Sequence, residues 1–326
     1  MDEGEQSMSP QAAKKVNLDQ AAPGPFLRLD AELAAERQRL RTAPDGAPRR
    51  RELQTLVLEE VAASCALSRA PIELDELRVL VDRGLATGGR PLRTYLVAAA
   101  YADAARWVAQ AKLPRPGQPL LRLDELVDLH ARALRLEPES GPGAWRRTTL
   151  PAFRGGVVPP AFWLVPREMA RFVERFAAGP GQASPALWVA QALERFDRIR
   201  PFASGNGRVG RLVANLLLRR LDLPPFAVRP RDARRYLASL ARADDGDPWP
   251  LAILVGRSVL GGLQRLAGAS EQSPTEELVS VTSLARGPER EALYKAIQRG
   301  RLRVVRRGRA LYTSAAWLEA YRASRG

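Results

Sequence analysis

One short stretch combines residue types that could bind an anion. It runs Arg200-Pro201-Phe202-Ala203-Ser204-Gly205-Asn206-Gly207-Arg208-Val209-Gly210-Arg211 and opens a helical run rich in leucine. The glycines beside Asn206 allow positive φ and close approach of the backbone to a ligand. A turn that leads into a helix N-terminus aims free N–H groups and a positive dipole end at one point. Arg208 and Arg211 are three residues apart, so both can face that point. The residues predict a pocket for phosphates.

The same stretch resembles the signature of Fic-domain nucleotidyltransferases, His-Pro-Phe-x-(Asp/Glu)-Gly-Asn-Gly-Arg-x-x-Arg. The residues that match it are Pro201, Phe202, Gly205, Asn206, Gly207, Arg208 and Arg211. In that family the histidine activates a target hydroxyl, the acid holds a magnesium ion, and the turn with the last arginine grips ATP phosphates. The resemblance implies ATP or another nucleotide as the ligand. It implies that the phosphates are bound by Gly205, Asn206, Gly207, Arg208 and Arg211.

The two positions that carry the chemistry of the family differ here. Arg200 stands at the histidine position and Ser204 at the acid position. Arginine keeps its proton in proteins, so Arg200 cannot serve as a general base. A serine hydroxyl is a poor substitute for a carboxylate as a magnesium ligand, so the degenerate site disfavours Mg²⁺. Standard transfer of AMP should be crippled, although Arg200 could still bind phosphate or stabilise charge.

The elements that must position this stretch are predicted to be helices. Ser184-Pro185 is typical of a helix start, and the helix over 186–199 would deliver Arg200 to the site. Apolar spacing predicts further helices over 28–42, 50–65, 72–86, 91–113, 123–136, 231–243 and 249–267. Residues 143–162 read as extended with a turn at Gly155-Gly156. In Fic domains this is a β-hairpin flap that docks an extended segment of a protein target. A plain surface hairpin is the alternative.

A second comparison concerns the end of the helix over 50–65. Many Fic proteins carry Ser-x-x-x-Glu-Gly there, and its glutamate pairs with the last signature arginine and blocks ATP. Ser64 to Ser68 fits the spacing, but Ser68 stands at the glutamate position and Arg69 at the glycine position. On this alignment the inhibitory acid is missing. The alternative is an ordinary helix end before Pro71.

The composition narrows the class of protein. Hydrophobic residues make up 45% of the 326, enough to bury a sizeable core. The single Cys65 excludes an internal disulfide and a cysteine metal site, and the single His130 argues against a histidine one, so no metal site is expected. A lone helical histidine is usually a packed or surface residue. No apolar run approaches the length of a membrane span, so a cytoplasmic protein without membrane contact is expected. The net charge of +15 indicates an arginine-rich composition or an anionic partner.

The C-terminal fifty residues differ in composition from the rest. From Glu276 onward there are 11 lysines and arginines against 5 acids. The pattern predicts helix, helix, basic hairpin and helix, which resembles a winged helix-turn-helix of the excisionase or MerR kind. DNA contacts are then expected from Arg290, Lys295 and Arg299 on the helix and from Arg306, Arg307 and Arg309 on the hairpin. The alternative is an accessory domain that binds nothing. Specific DNA binding would require a homodimer.

The predicted fold class is mainly α: a Fic-type helical bundle with a β-hairpin flap, followed by a small winged-helix module. The predicted domains are an N-terminal extension (1–49), a Fic-like domain (50–267), a linker (268–276) and a DNA-binding-like domain (277–326). Two functions stay open. The first is a degenerate Fic domain that binds a nucleotide or other phosphate ligand without normal AMP transfer and regulates through DNA. The second is a working Fic-type transferase with an altered site, so the sequence leaves enzymatic activity undecided.

Overall fold

The computed structural model describes residues 22–43, 45–271, 279–284, 288–307 and 310–323. Within them the chain is mainly helical, as the sequence predicts. The helices before residue 272 are α1 Gly24–Thr42, α2 Ala47–Leu67, α3 Leu74–Arg83, α4 Leu92–Ala109, α5 Leu123–Ala133, α6 Val165–Ala177, α7 Pro185–Ile199, α8 Asn206–Arg220, α9 Ala233–Asp244 and α10 Trp249–Glu271. Short 3₁₀ turns occupy Pro138–Ser140, Phe162–Leu164 and Pro230–Asp232. No helix of the described ranges is long and apolar enough to cross a membrane.

Contacts divide the chain into two compact units. Among the described residues, the first unit comprises 22–41 and 53–265, and the second comprises 42–52 and everything from 266. This division differs from the domain limits at 49 and 267 that composition suggested. Those limits stay a prediction.

Helix α8 is the centre of the first unit. All of its residues from Arg208 to Leu218 are buried, together with Asn206. A helix buried all round must be covered on every side. Helices α4, α5 and α7 contact it. Gly210 lets α7 approach closely, because a Cβ there would lie 3.2 Å from the ring of Phe196. The signature is therefore the start of the most buried helix of the bundle.

Several helix ends differ from the prediction by two to four residues, and two of them have identifiable reasons. Helix α2 begins at Ala47, so Pro48 lies in its first turn, where the missing N–H costs little. Helix α10 continues to Glu271 through part of the predicted linker. Leu266, Ala267 and Ala269 are buried there. Their burial outweighs the cost of about 1 kcal/mol for a helical glycine such as Gly268. Residues 272–276 of that linker lie outside the described residues.

The predicted hairpin between α5 and α6 is very short. Phe153 and Val157 exchange both backbone hydrogen bonds, at 2.9 Å each, and form an isolated bridge. Gly155 and Gly156 turn between them with φ of 69° and 91°. Arg154 also takes positive φ, at 26°. The turn is where the sequence places it, but the flap is a tight loop rather than a long ribbon.

The second unit contains a three-stranded antiparallel sheet in the order β1-β3-β2. Its elements are β1 Val279–Ser280, α11 Val281–Leu284, α12 Pro288–Gln298, β2 Val305–Arg307, β3 Ala310–Thr313 and α13 Ala315–Ala323. The register pairs Val305 with Tyr312 and Arg307 with Ala310. Val281, Leu293, Ala296, Leu302, Leu318 and Tyr321 form its core. The predicted order of helix, helix, hairpin and helix is present. Strand β1 was missed, because two residues give no periodicity. The turn at Gly308 lies outside the described residues.

Candidate functional site

Gly205 sets the geometry of the turn before α8. It is the N-cap of the helix with φ 71° and ψ 0°, a conformation that costs glycine little. A Cβ there would meet the Leu134 side chain at 2.7 Å. Gly207 was expected to take positive φ as well, but it lies in the first helical turn with an ordinary φ. Only one glycine therefore supplies the left-handed bend, while Gly207 leaves the entrance of the helix without a side chain.

The Asn206 side chain holds the loop in shape. Its Oδ1 accepts the Phe202 N–H at 2.9 Å, and its Nδ2 donates to the Phe202 carbonyl at 2.8 Å. Because Asn206 is only 1% exposed, this amide stays inside the loop. A ligand at the turn would meet backbone N–H groups, and the Asn206 amide would support them from behind.

Arg208 is already paired with a carboxylate. Both of its terminal nitrogens bind Glu137: Nη1 contacts Oε1, and Nη2 lies 3.1 Å from Oε2. The two side chains are nearly completely buried. Arg93 approaches the same carboxylate at 3.5 Å from the surface. Sequence reasoning missed Glu137, which follows α5 in a Glu-Pro pair without periodicity.

Arg211 is held by the end of α2. Its Nε donates to Ser64 Oγ at 2.6 Å, and its Nη2 donates to the Ser64 carbonyl at 3.2 Å and to Ser68 Oγ at 3.4 Å. The segment aligned with the compared motif, Ser64 to Ser68, therefore contacts the last signature arginine. A hydroxyl at Ser68 stands where the compared motif places a carboxylate. Arg211 is 4% exposed, and the Ser64 and Ser68 groups that accept its hydrogen bonds are neutral.

A buried acid that the sequence did not single out lies beside this contact. Glu60 on α2 is 2% exposed and accepts the Tyr101 hydroxyl at 2.7 Å. The Tyr101 oxygen in turn accepts a hydrogen bond from Ser64 Oγ at 2.8 Å. Burial raises the pKa of Glu60 to about 7, against the lowering effect of Tyr101 and Arg211. Burial also raises the pKa of Tyr101.

Arg200 ends α7 in a left-handed conformation, with φ 46° and ψ 64°. Its guanidinium lies over the Phe153 ring of the flap, 4.5 Å from the centroid. A cation over an aromatic face is a favourable contact that fixes the side chain. Arg200 therefore joins the signature to the flap. Ser204 has a buried hydroxyl with no hydrogen-bond partner within the described part of the chain.

Arg146 connects the flap to the signature from the inside. Its Nε donates to the Arg200 carbonyl at 2.8 Å and its Nη1 to the Thr148 carbonyl at 2.9 Å. Nη2 donates to the Pro160 carbonyl, and the Arg146 backbone N–H binds the Pro201 carbonyl at 3.0 Å. Burial lowers the pKa of Arg146, with a smaller contribution from Arg200.

The flap tip is fixed by ion pairs. Arg154 forms an ion pair with Asp197 on α7. Its Nε also donates to Asp244 Oδ2 on α9 at 2.9 Å. Both acids are nearly buried. Beside them, burial raises the pKa of Glu194 to about 7, and the charge of Asp244 adds to this. The flap is thus anchored to two helices of the bundle in this state.

Part of the chain that contains the signature matches a known protein family. Residues 120–218 match the Fic/DOC family. "Protein adenylyltransferase Fic" of Nematostella vectensis is 25% identical over 236 residues, which are 71% of this chain and 54% of that protein. The protein of the same name in Drosophila grimshawi is 32% identical over 136 residues, which are 40% and 27% of the two chains. The chain thus spans about half, or less, of the curated relatives it matches.

Solved structures show the same fold. Fic-1 from C. elegans superposes with a TM-score of 0.67 at 21% identity and covers 75% of this chain and 72% of that one. A Fic-domain signaling protein from Bacteroides thetaiotaomicron superposes with a TM-score of 0.65 at 19% identity. The match covers 78% of this chain and 99% of that one. The bundle described above is therefore a Fic-type fold.

At the start of α8, the position of the signature acid offers magnesium a poor ligand. The acid position offers a single neutral hydroxyl, that of Ser204. The described residues contain no group of three acids, histidines or cysteines that could hold a metal. Magnesium prefers carboxylates together with phosphate oxygens.

His130 packs the signature from the α5 side. Its ring stacks on Phe202 at 3.7 Å, and Trp145 stacks on that phenylalanine at 4.9 Å. Nδ1 accepts the Gly143 N–H at 2.9 Å, so the proton is on Nε2, which faces the Ser204 carbonyl at 3.3 Å. Burial lowers the pKa of His130 to about 4. It is a packed, neutral histidine, as expected of a lone helical one.

The residues predicted to contact DNA lie in the second unit. Arg290 and Lys295 are exposed on α12, and Arg299 directly follows that helix and is exposed too. Arg306 is exposed on β2, and Arg307 ends that strand. Arg309 lies outside the described residues. The helix and the strand each present basic residues, and DNA binding stays a prediction.

Proposed function

We propose that the Fic domain binds a nucleoside triphosphate, ATP in the first place, at the turn before α8, and is a transferase-type site with altered chemistry. The observation that carries the proposal is the retained start of α8. Gly205 bends the chain, the first N–H groups of the helix lie at its N-terminus, and Arg208 and Arg211 are within its first turns. Such a helix start favours a phosphate. The name of the relatives, protein adenylyltransferase, favours transfer of AMP over binding alone.

A site with these residues should transfer AMP slowly. Phosphoryl transfer depends mainly on positioning and on electrostatic stabilisation, which Arg208, Arg211 and Arg200 can supply. A general base typically contributes a factor of about 10² to 10⁴, and Arg200 cannot provide it. The expected rate is lower by that factor than in a site with the signature histidine.

Restoring the base tests this. Purified protein is incubated with ATP labelled at the α-phosphate, with and without magnesium, and label on protein is counted. We expect Arg200→His to increase labelling by a factor of about 10² or more, and Arg208→Ala to abolish it. If Arg200→His binds ATP and transfers no more label than wild type, the missing base does not limit the reaction.

A second candidate is nucleotide binding without transfer. It is favoured by the simultaneous replacement of the base by Arg200 and of the acid by Ser204. ATP binding measured by calorimetry, with no label transferred by wild type or by Arg200→His, would establish it. Absence of ATP binding in wild type and in Glu137→Gln would refute both candidates.

We also propose that a protein target docks at the flap. Val158 and Trp163 flank the flap and are 64% and 66% exposed. Two large exposed apolar side chains five residues apart offer a target an apolar surface to cover, and contiguous apolar surface marks interaction sites. If the target docks there, Val158→Asp should reduce labelling of the target and leave ATP affinity unchanged.

For the second unit we propose DNA binding, by a homodimer, that would make the chain regulatory. Exposed basic residues on α12 and β2 support it. DNA retardation should weaken steeply with salt and be lost in Arg306→Ala with Arg307→Ala. Arg322→Ala is the matched control, because Arg322 is exposed on α13 and pairs with Glu289. Retention of binding by the double variant would refute the proposed surface. The cytoplasmic location stays a prediction.

A further inference from the structure

Arg211 carries a buried charge without a direct acidic partner. Its guanidinium forms no ion pair within the part of the chain that the structure describes, and its hydrogen-bond partners include the hydroxyls of Ser64 and Ser68 on the α2 side and of Tyr236 on α9. A buried charge is costly unless hydrogen bonds and a countercharge compensate it. The carboxylate connected to it is Glu60, which lies one helical turn before Ser64 on α2.

The connection is a chain of three hydrogen bonds with a fixed direction. Arginine can only donate, so Ser64 Oγ must accept from Arg211 Nε at 2.6 Å. The Ser64 hydroxyl proton is then free to point at Tyr101 Oη, at 2.8 Å. Tyr101 must use its own proton toward Glu60 Oε1, at 2.7 Å. Every donor points away from Arg211 and toward Glu60, and the chain ends on a carboxylate, which accepts without donating.

We infer that Glu60 is the countercharge of Arg211 and a positioning residue for it, acting through Tyr101 and Ser64, so that phosphate binding at Arg211 is linked to protonation of Glu60. The inference rests on the proposed nucleotide site. A phosphate beside Arg211 brings a second negative charge to the same guanidinium. It therefore disfavours the ionised form of Glu60, and the protein takes up a proton as the anion binds.

The groups around Glu60 favour a link between phosphate binding and protonation of Glu60 over a purely structural role. The charged and titratable groups near it are Tyr101 on α4, Arg211 and Arg219 on α8, and Cys65 on α2. Arg219 donates to the Ala109 carbonyl at 3.0 Å and takes no part in the chain of hydrogen bonds. Because burial raises the pKa of Glu60 to about 7, its proton exchanges in the physiological range. The expected result is tighter phosphate binding as the pH falls through about 7.

Proton uptake measured by calorimetry tests the inference. Binding of ATP is followed near pH 7.5 in buffers that differ in ionisation enthalpy, for wild type and for Glu60→Gln. Wild type should take up about half a proton more per nucleotide than Glu60→Gln, the value expected when binding raises a pKa by one unit. The titration of the nucleotide itself cancels in this comparison. Glu59→Gln is the matched control, because Glu59 is the adjacent acid and pairs with Arg265 instead.

A second readout does not depend on nucleotide. The Nε–H resonance of Arg211, assigned by its loss in Arg211→Lys, should shift with a midpoint near pH 7 in wild type and stay constant in Glu60→Gln. Equal proton uptake by wild type and Glu60→Gln, or a resonance that ignores pH, would overturn the inference. If wild type binds no nucleotide while the resonance still titrates, the proposed function fails and the coupling stands.

Discussion

Arg146 should be one of the most sensitive residues of the helical bundle. It is 3% exposed, and its guanidinium reaches the carbonyl oxygens of Thr148, Pro160 and Arg200. A hydrogen bond to a charged group contributes about 1.5–3 kcal/mol, and a buried carbonyl left unpaired costs about 1–3 kcal/mol. Replacing the guanidinium by methionine keeps much of the stem and removes all of these bonds. Since water can reach some of the freed carbonyls, we expect a loss of about 3–5 kcal/mol.

The neighbouring arginine provides the control. Arg147 has the same side chain one position later but is exposed. Surface substitutions of this kind usually change stability by less than about 0.5 kcal/mol. For a unit of this size, 1 kcal/mol corresponds to about 2–4 °C in Tm. Arg146→Met should therefore lower Tm by about 10 °C, and Arg147→Met by no more than about 2 °C.

Thermal unfolding followed by circular dichroism measures the difference. Amide hydrogen exchange should show faster opening over residues 148–160 in Arg146→Met, because the flap loses its inner anchor. If both variants lower Tm equally, or if exchange over the flap is unchanged, Arg146 does not hold the flap to the signature.

Four further results are expected. Glu137→Gln should tighten ATP binding about tenfold in calorimetry by releasing Arg208, a factor that corresponds to about 1.4 kcal/mol, whereas the exposed acid in Glu139→Gln should have no effect. Gly205→Ala should lower stability in urea unfolding by at least about 2 kcal/mol, because it adds left-handed strain and a clash with Leu134, while Gly207→Ala in the helix should be nearly neutral. The single histidine should give a ring proton resonance that titrates near pH 4; a midpoint near 6.5 would contradict a buried neutral His130. The pKa of Glu60 is higher in the folded than in the unfolded protein, so its contribution to the free energy of unfolding is fully present below about pH 4.5 and is lost as the pH rises to about 7. Over that window, the Tm of wild type should fall relative to that of Glu60→Gln.

Local patterns in the sequence predict much of this fold. The helices of the bundle, the turn at Gly155-Gly156 and the order of elements in the second unit follow from periodicity and turn residues. Their ends do not, because tertiary burial extends α10 through Gly268 to Glu271. Such ends depend on neighbours that are distant in sequence. Helix α2 begins before Pro48 because the first helical turn tolerates a proline.

The partners of the site residues were harder to predict. The signature gave Arg208 and Arg211, but nothing in the sequence shows that Glu137 would neutralise the first or that Glu60 would be connected to the second. Both acids lie more than 70 residues before their arginines. A buried glutamate among apolar helix positions is the signal that could have drawn attention to Glu60, since isolated buried charges are rare.

The positive charges of the two signature arginines are therefore compensated differently before a ligand binds. Arg208 is neutralised by a bidentate carboxylate, which a phosphate must displace or share. Arg211 is hydrogen-bonded by neutral hydroxyls, and its countercharge is two side chains away. An incoming phosphate chain should meet its strongest attraction at Arg211, and pairing with Arg208 should follow only when Glu137 yields. This asymmetry makes the serine at position 68 significant: among the described residues, the arginine that the compared motif would pair with a glutamate is held by hydroxyl groups instead of a carboxylate.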